Sequence, residues 1–221
     1  MRLIFATNNK HKLNEIKAIL PSKYREIVFS LVDLNISVNP DENGSSYEEN
    51  ANIKSSATYN ALKNKNLLCI DDYIIADDTG ISIDFLNGEP GIHSARFLGD
   101  ISQAEKNSKI IDLMKDVCDN ERTAYFITIL SVLEISIDKY LTEMPKSMIF
   151  EGRVNGYIAK SIIGEEGFGY DPIFAIGDPS DIAKGFVKTY SKLGQDKKNL
   201  ISHRAKAISA FTNYLEKKLK F

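Results

Sequence analysis

The sequence has few cysteines, no long apolar run and no excess of positive charge, and each absence excludes a class of protein. Its two cysteines, Cys69 and Cys118, occur in unrelated contexts and provide neither a disulfide framework nor a metal motif. Every apolar run is shorter than the roughly 18–20 residues of a membrane-spanning helix. With 28 basic against 30 acidic residues, the chain lacks the basic field that tight nucleic-acid binding requires. Polar residues follow Met1 too soon for a signal peptide, so we expect a cytoplasmic protein that binds neither membrane nor nucleic acid.

The residues that are present predict a globular α/β protein. The chain has 221 residues, 43% of them apolar, which is enough for one sizeable domain with a real core. Residues 3–6 predict a buried strand, and helical spacing predicts a helix over residues 12–20. No linker or repeat divides the sequence, so we predict a single α/β domain over residues 1–221, or two lobes that share a sheet.

Capping and periodicity predict the other elements. A capping box at residues 45–49, in either of two registers, begins a helix through about Asn64, and a second box at residues 102–105 begins another. Residues 74–84 have the alternation of a β-hairpin with its turn near residues 77–80. The remaining predictions are strands over residues 122–137, 148–154 and 157–163, and an amphipathic helix over residues 202–220.

The N-terminal stretch ATNNKHKLNE lies between a predicted strand and the start of a helix. Backbone N–H groups and the helix dipole favour an anion at such a junction, so Thr7, Asn9 and Lys12 could hold a phosphate. The alternative is that Thr7 or Asn9 only caps the helix.

Carboxylates and a lysine stand out in two further stretches. Asp77 and Asp78 can bind a hard cation such as Mg²⁺, and one of them can act as a general base; the alternative is a solvated hairpin tip. Lys54 lies on the helix that follows the acidic loop of Asp41 and Glu42, and the alternative there is an ordinary solvated helix face.

Two more stretches combine aromatic and charged residues. In GFGYDPIF, Phe168 and Asp171 could stack on a nucleobase and hydrogen-bond to its edge, or the rings could simply pack a turn. In KKNLISHRAKA, His203 and Arg204 fall in the first turn of a helix, which is unfavourable for cations unless an anion or an acidic partner is near.

Six motifs occur in the same order as in one known family: ATNNKHKLNE, EENANIKS, ADDTGISID, GEPGIHSAR, GFGYDPIF and SHRAKA. Together they closely resemble the inosine triphosphate pyrophosphatase, or Ham1, family over nearly the whole chain. The resemblance implies an elongated, mixed and twisted sheet with flanking helices, two lobes with a central substrate cleft, and a homodimer. It also implies Mg²⁺-dependent hydrolysis of non-canonical purine triphosphates (ITP, dITP, XTP) to the monophosphate and pyrophosphate, which cleans the nucleotide pool.

The same resemblance implies residue roles. Asp78 matches the general base, and Asp78, Asp77, Glu42 and Asp41 match the neighbourhood of the metal ion, with the choice between Asp41 and Glu42 left open. The residues that match substrate-binding positions are Thr7, Asn9, Lys12, Lys54, Thr79, Ser94, Arg96, Phe168, Gly169, Tyr170, Asp171, Lys198, His203 and Arg204.

Selectivity is expected to depend on the purine 6-position. A keto group there can accept hydrogen bonds from backbone N–H groups or from His203 and Arg204, whereas the amino group of ATP would leave those donors unpaired. Two other classes remain open: a nucleotide-binding protein without efficient hydrolysis, and a Maf-like pyrophosphatase that prefers modified pyrimidines.

The sequence departs from the family pattern in a few places. Thr79 replaces a serine found in many relatives and keeps the hydroxyl group. His93 stands where an aromatic residue is frequent, and we interpret it as a packing or surface residue. Residues 135–152 form a longer segment than in many bacterial relatives, which predicts an extended hairpin.

Overall fold

The structure is a computed structural model that describes residues 1–136 and 143–219. Its strands are β1 (Leu3–Phe5), β2 (Val28–Ser30), β3 (Tyr73–Ile83), β4 (Thr123–Glu134), β5 (Met148–Ile158), β6 (Phe174–Ile176) and β7 (Lys188–Thr189). Its α-helices are α1 (Lys10–Ile19), α2 (Ser22–Arg25), α3 (Tyr47–Asn64), α4 (Gln103–Leu113), α5 (Tyr190–Leu193), α6 (Gln195–Ile201) and α7 (His203–Lys218). Residues 137–142 of the predicted extended hairpin, and the predicted end of the last helix at residue 220, lie outside the described residues.

The strands form a seven-stranded sheet in the order β2-β1-β3-β4-β5-β6-β7. β1 runs parallel to both of its neighbours, with Leu3 opposite Val28 on one side and Tyr73 on the other. β6 runs antiparallel to β5 and to β7. The prediction of a mixed α/β sheet with flanking helices is therefore confirmed. No helix among the described residues is long and apolar enough to cross a membrane.

The chain divides into two compact units, each with its own buried apolar cluster. Unit 1 comprises Met1–Asp78, Thr128–Gly152 and Arg204–Phe221, and unit 2 comprises Thr79–Ile127 and Arg153–His203. In unit 1, Ile16 of α1 and Phe211 of α7 pack with Leu3 of β1. In unit 2, Ile110 of α4 packs with Phe126 of β4. The helical spacing read from the sequence therefore identified core-facing residues of α1, α4 and α7.

The segment predicted as a hairpin is a single strand, so that prediction was wrong. β3 runs unbroken from Tyr73 to Ile83, and every residue in it except Thr79 is buried. Burial favours the extended strand over the turn that Asp-Asp-Thr-Gly suggested, because buried backbone groups need the partners that the sheet provides. Successive side chains of a strand point to opposite faces, and Asp77 and Asp78 accordingly form ion pairs with different lysines.

The sequence also predicted two strands where the structure has only β5. The strand continues through Gly156, which the sequence suggested as part of a turn. A Cβ atom on Gly156 would lie 2.2 Å from the carbonyl oxygen of Ala175 and 2.7 Å from the ring of Phe174. The glycine therefore permits the close approach of β6 rather than a reversal of the chain.

Both predicted helix starts are confirmed. Ser102 and Glu105 form the full capping box of α4. Ser46 caps α3 and accepts a hydrogen bond from the backbone N–H of Glu49, while the Glu49 carboxylate accepts one from the backbone N–H of Ser45. The register that the sequence left open is therefore Ser46–Glu49.

Candidate active site

The junction between β1 and α1 is held by side chains that cap the helix. The side-chain oxygen Oδ1 of Asn9 accepts hydrogen bonds from the backbone N–H groups of His11 and Lys12. Thr7 Oγ1 accepts one from the backbone N–H of Asn9, at 3.1 Å. Of the two residues that the sequence offered as caps, Asn9 is the N-cap of α1, and contact of Thr7 and Asn9 with phosphate stays a prediction.

Asp77 lies in a buried cluster with cations from both ends of the chain. Its Oδ2 atom is 2.9 Å from Lys12 Nζ and 3.5 Å from Arg204 Nη2. Arg204 also forms a buried ion pair with Glu15. Burial alone would raise the pKa of Asp77, but the charges of Lys12, Arg204 and Lys54 outweigh it and hold that pKa well below its ordinary value. Asp77 is therefore a firmly ionised carboxylate.

Asp78 has a different environment, although it is the next residue. Its Oδ1 atom accepts a hydrogen bond from Lys54 Nζ at 3.1 Å, and the same ammonium group donates to Glu42 at 2.9 Å. Burial raises the pKa of Asp78 despite the opposing charge of Lys54. Burial works against the charge of Lys54 as well, yet Asp77, Asp78 and Glu42 together raise its pKa, so it stays cationic. A carboxylate with a raised pKa beside a fixed cation has the properties of a general base.

One oxygen of this pair of aspartates is left without a hydrogen-bond partner by the described residues. Asp78 Oδ2 is buried and has no hydrogen-bond partner among residues 1–136 and 143–219. Mg²⁺ prefers one or two carboxylate oxygens and completes its shell with water and phosphate, so Asp78 fits such an ion. Glu42 and Asp78 pair with the same ammonium group, that of Lys54, whereas Asp41 is exposed. The described ranges contain no group of three histidine, cysteine, aspartate or glutamate side chains placed to hold a metal ion by themselves.

Unit 2 contains a second cluster, built around a buried ion pair. Lys198 Nζ lies 2.6 Å from Asp171 Oδ2, and both side chains are almost fully buried. Asp171 also accepts a hydrogen bond from the backbone N–H of Phe168, and Lys198 Nζ lies 4.7 Å from the centre of the Phe168 ring. His203 stacks on Phe126, with ring centres 4.5 Å apart. Phe168, Asp171 and Lys198 bring together an aromatic ring, a carboxylate and an ammonium donor, a combination that can recognise a flat heterocycle with polar edges.

The glycine at position 167 is required beside this ion pair. Its φ angle is +86°, and a Cβ atom there would lie 2.4 Å from Asp171 Oδ2. Only glycine adopts this backbone conformation readily and also leaves room for the carboxylate.

The other predicted substrate residues have mostly internal partners. Ser94 Oγ accepts a hydrogen bond from the backbone N–H of Ile81 and donates one to the carbonyl of Gly91. Arg96 and His93 are both exposed and hydrogen-bond to each other, which fits the interpretation of His93 as a surface residue. Thr79 is half-buried on β3. Substrate contacts of Thr79, Ser94 and Arg96 therefore stay predictions.

Sequence reasoning did not single out Glu15, the buried partner of Arg204. It lies three residues after Lys12, so the two side chains share a face of α1. That spacing was the available signal, but an acidic residue on a helix is usually solvated, and the sequence did not reveal its burial.

The fold and the two clusters define a class of protein. Two features in one chain, lysines and an arginine that face buried carboxylates of an α/β sheet and an aromatic and acidic cluster, are typical of proteins that act on phosphorylated heterocyclic compounds. A family model described as the Ham1 family matches residues 3–214. The chain belongs to the Ham1 family.

Similar proteins give the same assignment. A dITP/XTP pyrophosphatase of Thermoanaerobacter pseudethanolicus is 37% identical over 221 residues, which cover 100% of this chain and 99% of that protein. The solved structure of the Staphylococcus aureus Ham1 protein has 34% identity and a TM-score of 0.75, covering 99% of this chain and 100% of that one. A HAM1 protein from Coxiella burnetii has 30% identity and a TM-score of 0.76, covering 98% and 99%.

Proposed function

We propose that the protein is a Mg²⁺-dependent nucleoside triphosphate pyrophosphatase that hydrolyses ITP, dITP and XTP to the monophosphate and pyrophosphate. The observation that carries the proposal is the group formed by the buried Asp78, the half-buried Lys54 and the more exposed Glu42, which combines a base, a cation and a carboxylate oxygen that has no partner among the described residues. Membership of the Ham1 family and similarity to proteins named dITP/XTP pyrophosphatase support the substrate class. We further propose that it acts as a cytoplasmic homodimer and that residues 1–221 are one domain.

The cations of unit 1 would handle the triphosphate. Lys12 and Lys54 carry buried or half-buried ammonium groups, and Arg204 adds a third positive charge held by Glu15 and Asp77. Such fixed charges stabilise the negative charge that develops on departing pyrophosphate, and they need no reorganisation during the reaction.

Asp78 would be the general base. Its raised pKa favours proton uptake from the attacking water, and the hydrogen bond from Lys54 fixes the orientation of its carboxylate. The water would attack the α-phosphorus, its proton would pass to Asp78, and the bond from the α-phosphorus to the bridging oxygen would break to release pyrophosphate.

Glu42, beside Asp78, is the residue that would hold Mg²⁺ directly, because Asp77 Oδ2 already faces Lys12 and Arg204, and Asp78 Oδ2 would take the proton of the attacking water. A bound magnesium ion would draw the triphosphate oxygens together and offset their charge.

The cluster of unit 2 would select the base. Phe168 offers a flat ring for stacking, Lys198 offers a nitrogen donor beside the Asp171 carboxylate, and His203, stacked on Phe126, offers a further nitrogen donor. A keto group at the purine 6-position would accept from such donors, whereas an amino group would leave a buried donor unpaired, at a cost of roughly 1–3 kcal/mol.

A pyrophosphate-release assay with ITP, dITP, XTP, GTP, ATP and pyrimidine triphosphates tests the proposal. We expect pyrophosphate and the monophosphate from ITP, dITP and XTP, little product from ATP, and loss of activity with a chelator that Mg²⁺ restores. A protein that only binds nucleotides would release no pyrophosphate, and a Maf-like enzyme would favour pyrimidines. Release of inorganic phosphate and a nucleoside diphosphate would refute attack at the α-phosphorus.

A further inference from the structure

Two adjacent residues of α4 have buried polar side chains that reach out of the helix. Lys106 Nζ donates a hydrogen bond to the carbonyl oxygen of Ala95, at 2.9 Å. Asn107 Nδ2 donates one to the carbonyl oxygen of Gly169, at 3.0 Å. Lysine and asparagine are seldom buried to this degree, 6% and 2% exposed, unless a specific partner compensates for the lost water. The partners here are the backbones of two of the motifs, GEPGIHSAR and GFGYDPIF.

The two motif loops are also joined directly to each other. Tyr170 Oη donates a hydrogen bond to the carbonyl oxygen of Ser94, at 2.7 Å. Gln103 Nε2 donates to Asn107 Oδ1 at 3.0 Å, which fixes the orientation of the asparagine amide with its NH₂ group toward Gly169. The helix and the two loops therefore form one hydrogen-bonded assembly, all of it within unit 2.

The Asn107 bond joins the middle of the loop that carries the unit 2 cluster. Gly169 has a φ of +64°, in the left-handed region that glycine adopts without strain. Phe168 and Asp171 close the same turn on each other: Phe168 donates its backbone N–H to the Asp171 carboxylate, and Asp171 donates its own to the Phe168 carbonyl. A shift of the Gly169 carbonyl would therefore move both the stacking ring and the acid.

We propose that Asn107 is a positioning residue for base selection, acting through the Gly169 carbonyl on Phe168 and Asp171. The proposal rests on the proposed function, which assigns this loop to the purine. Asn107 itself need not touch the substrate. It holds the ring and the carboxylate in the arrangement that distinguishes a keto group from an amino group.

Asn107→Asp is the informative variant. The aspartate has the same size and keeps an acceptor for Gln103, but it replaces the NH₂ donor with an oxygen that repels the Gly169 carbonyl. Ser108→Asp is the matched control, because it adds the same charge at the next position of α4, which is exposed. Gln103→Ala serves as a milder second variant, since it removes the bond that orients Asn107 and leaves the loop donor in place.

Hydrogen exchange without nucleotide tests the positioning directly. We expect the backbone amides of Phe168 and Asp171 to exchange at least tenfold faster in Asn107→Asp than in the unaltered protein, and less so in Gln103→Ala. Ser108→Asp should match the unaltered protein. Unchanged exchange at both amides in a folded Asn107→Asp protein, or in Gln103→Ala if Asn107→Asp does not fold, would overturn the proposal.

Kinetics then test the link to selectivity. For Asn107→Asp we expect the ratio of kcat/KM on ITP to that on ATP to fall roughly tenfold or more, mainly through a higher KM for ITP. Inhibition by inorganic pyrophosphate should be unchanged, because pyrophosphate lacks a base. An unchanged ITP to ATP ratio would refute the role in selection. If the unaltered protein fails to hydrolyse ITP, the proposed function is wrong, and the exchange measurement still decides whether Asn107 holds the loop.

Discussion

Replacing Asp77 or Asp78, the adjacent aspartates of β3, by asparagine should affect different properties: stability in one variant and turnover in the other. Asp77 is a firmly ionised carboxylate between two cations, whereas Asp78 has a raised pKa and an oxygen without a partner among the described residues. We therefore expect Asp77→Asn to lose stability and Asp78→Asn to lose activity.

The size of the Asp77→Asn effect follows from its partners. Removing one member of a buried ion pair costs roughly 3–5 kcal/mol. The lower end applies here, because Lys12 is 20% exposed and can turn toward water, and Arg204 keeps Glu15. At about 2–4 °C per kcal/mol for a chain of this size, the midpoint of thermal unfolding should fall by about 6–12 °C.

Asp78→Asn should leave the unfolding midpoint within about 2 °C of the unaltered protein. The substitution removes a carboxylate whose charge is disfavoured by burial, and Lys54 keeps its ion pair with Glu42. Loss of a general base lowers kcat by roughly 10² to 10⁴. Many essential residues behave in this way, because an active site accepts local instability in return for function.

Thermal unfolding without nucleotide or metal, together with initial rates on ITP, measures both effects for both variants. The matched pair controls for the simple loss of one negative charge, since each variant loses one at neighbouring positions. An Asp78→Asn protein with near-normal kcat would refute its assignment as the base. An Asp77→Asn protein as stable as the original would refute the argument from its ion pairs.

Three further predictions concern the pH dependence of the rate, the unit 2 cluster and the sheet. Burial raises the pKa of Asp78 above its ordinary value of 3.8, and a general base must be ionised to act. The value of kcat/KM should therefore fall as the pH drops through a pKa above 3.8. Asp78→Asn should abolish that acidic limb of the pH–rate profile. Lys198→Met leaves the buried Asp171 charge without its ammonium partner. A denaturant titration should therefore show a free energy of unfolding lower by roughly 3–5 kcal/mol. The same variant should lower kcat/KM on ITP more than on ATP. Gly156→Ala forces a Cβ atom against the backbone of Ala175, so it should lower the free energy of unfolding by roughly 1–3 kcal/mol. Gly88→Ala is the control: the space around Gly88 is open, so this variant should show only the smaller cost of its positive φ.

Local signals in the sequence predicted the helices best. Capping depends on residues three apart, so the pairs Ser46–Glu49 and Ser102–Glu105 revealed where α3 and α4 begin. Helical spacing likewise revealed the buried face of α7. Each of these signals is complete within a few residues and needs no knowledge of the rest of the chain.

The two wrong strand predictions came from residue types that are common in turns but that also occur inside strands. Gly156 and the Asp-Asp-Thr-Gly stretch both have turn composition. In the folded chain Gly156 makes room for β6, and residues 77–80 continue β3 because the surrounding chain buries them. The neighbours that decide between turn and strand lie far away in the sequence, so composition alone favours the turn.

The distinct roles of Asp77 and Asp78 depend on the same long-range information. The sequence predicted that the two carboxylates could share one cation at a hairpin turn, and only the family resemblance distinguished Asp78, as the general base, from Asp77. On a strand the two carboxylates face different groups. Asp77 faces Arg204, which an ion pair holds to Glu15 of α1, 189 residues earlier in the chain. Asp78 faces Lys54 of α3. The repulsion between the two carboxylates is thus offset by separate cations before any metal binds. In this arrangement Asp77 is paired with two cations, while Asp78 Oδ2 keeps no partner among the described residues, as the proposed general base requires.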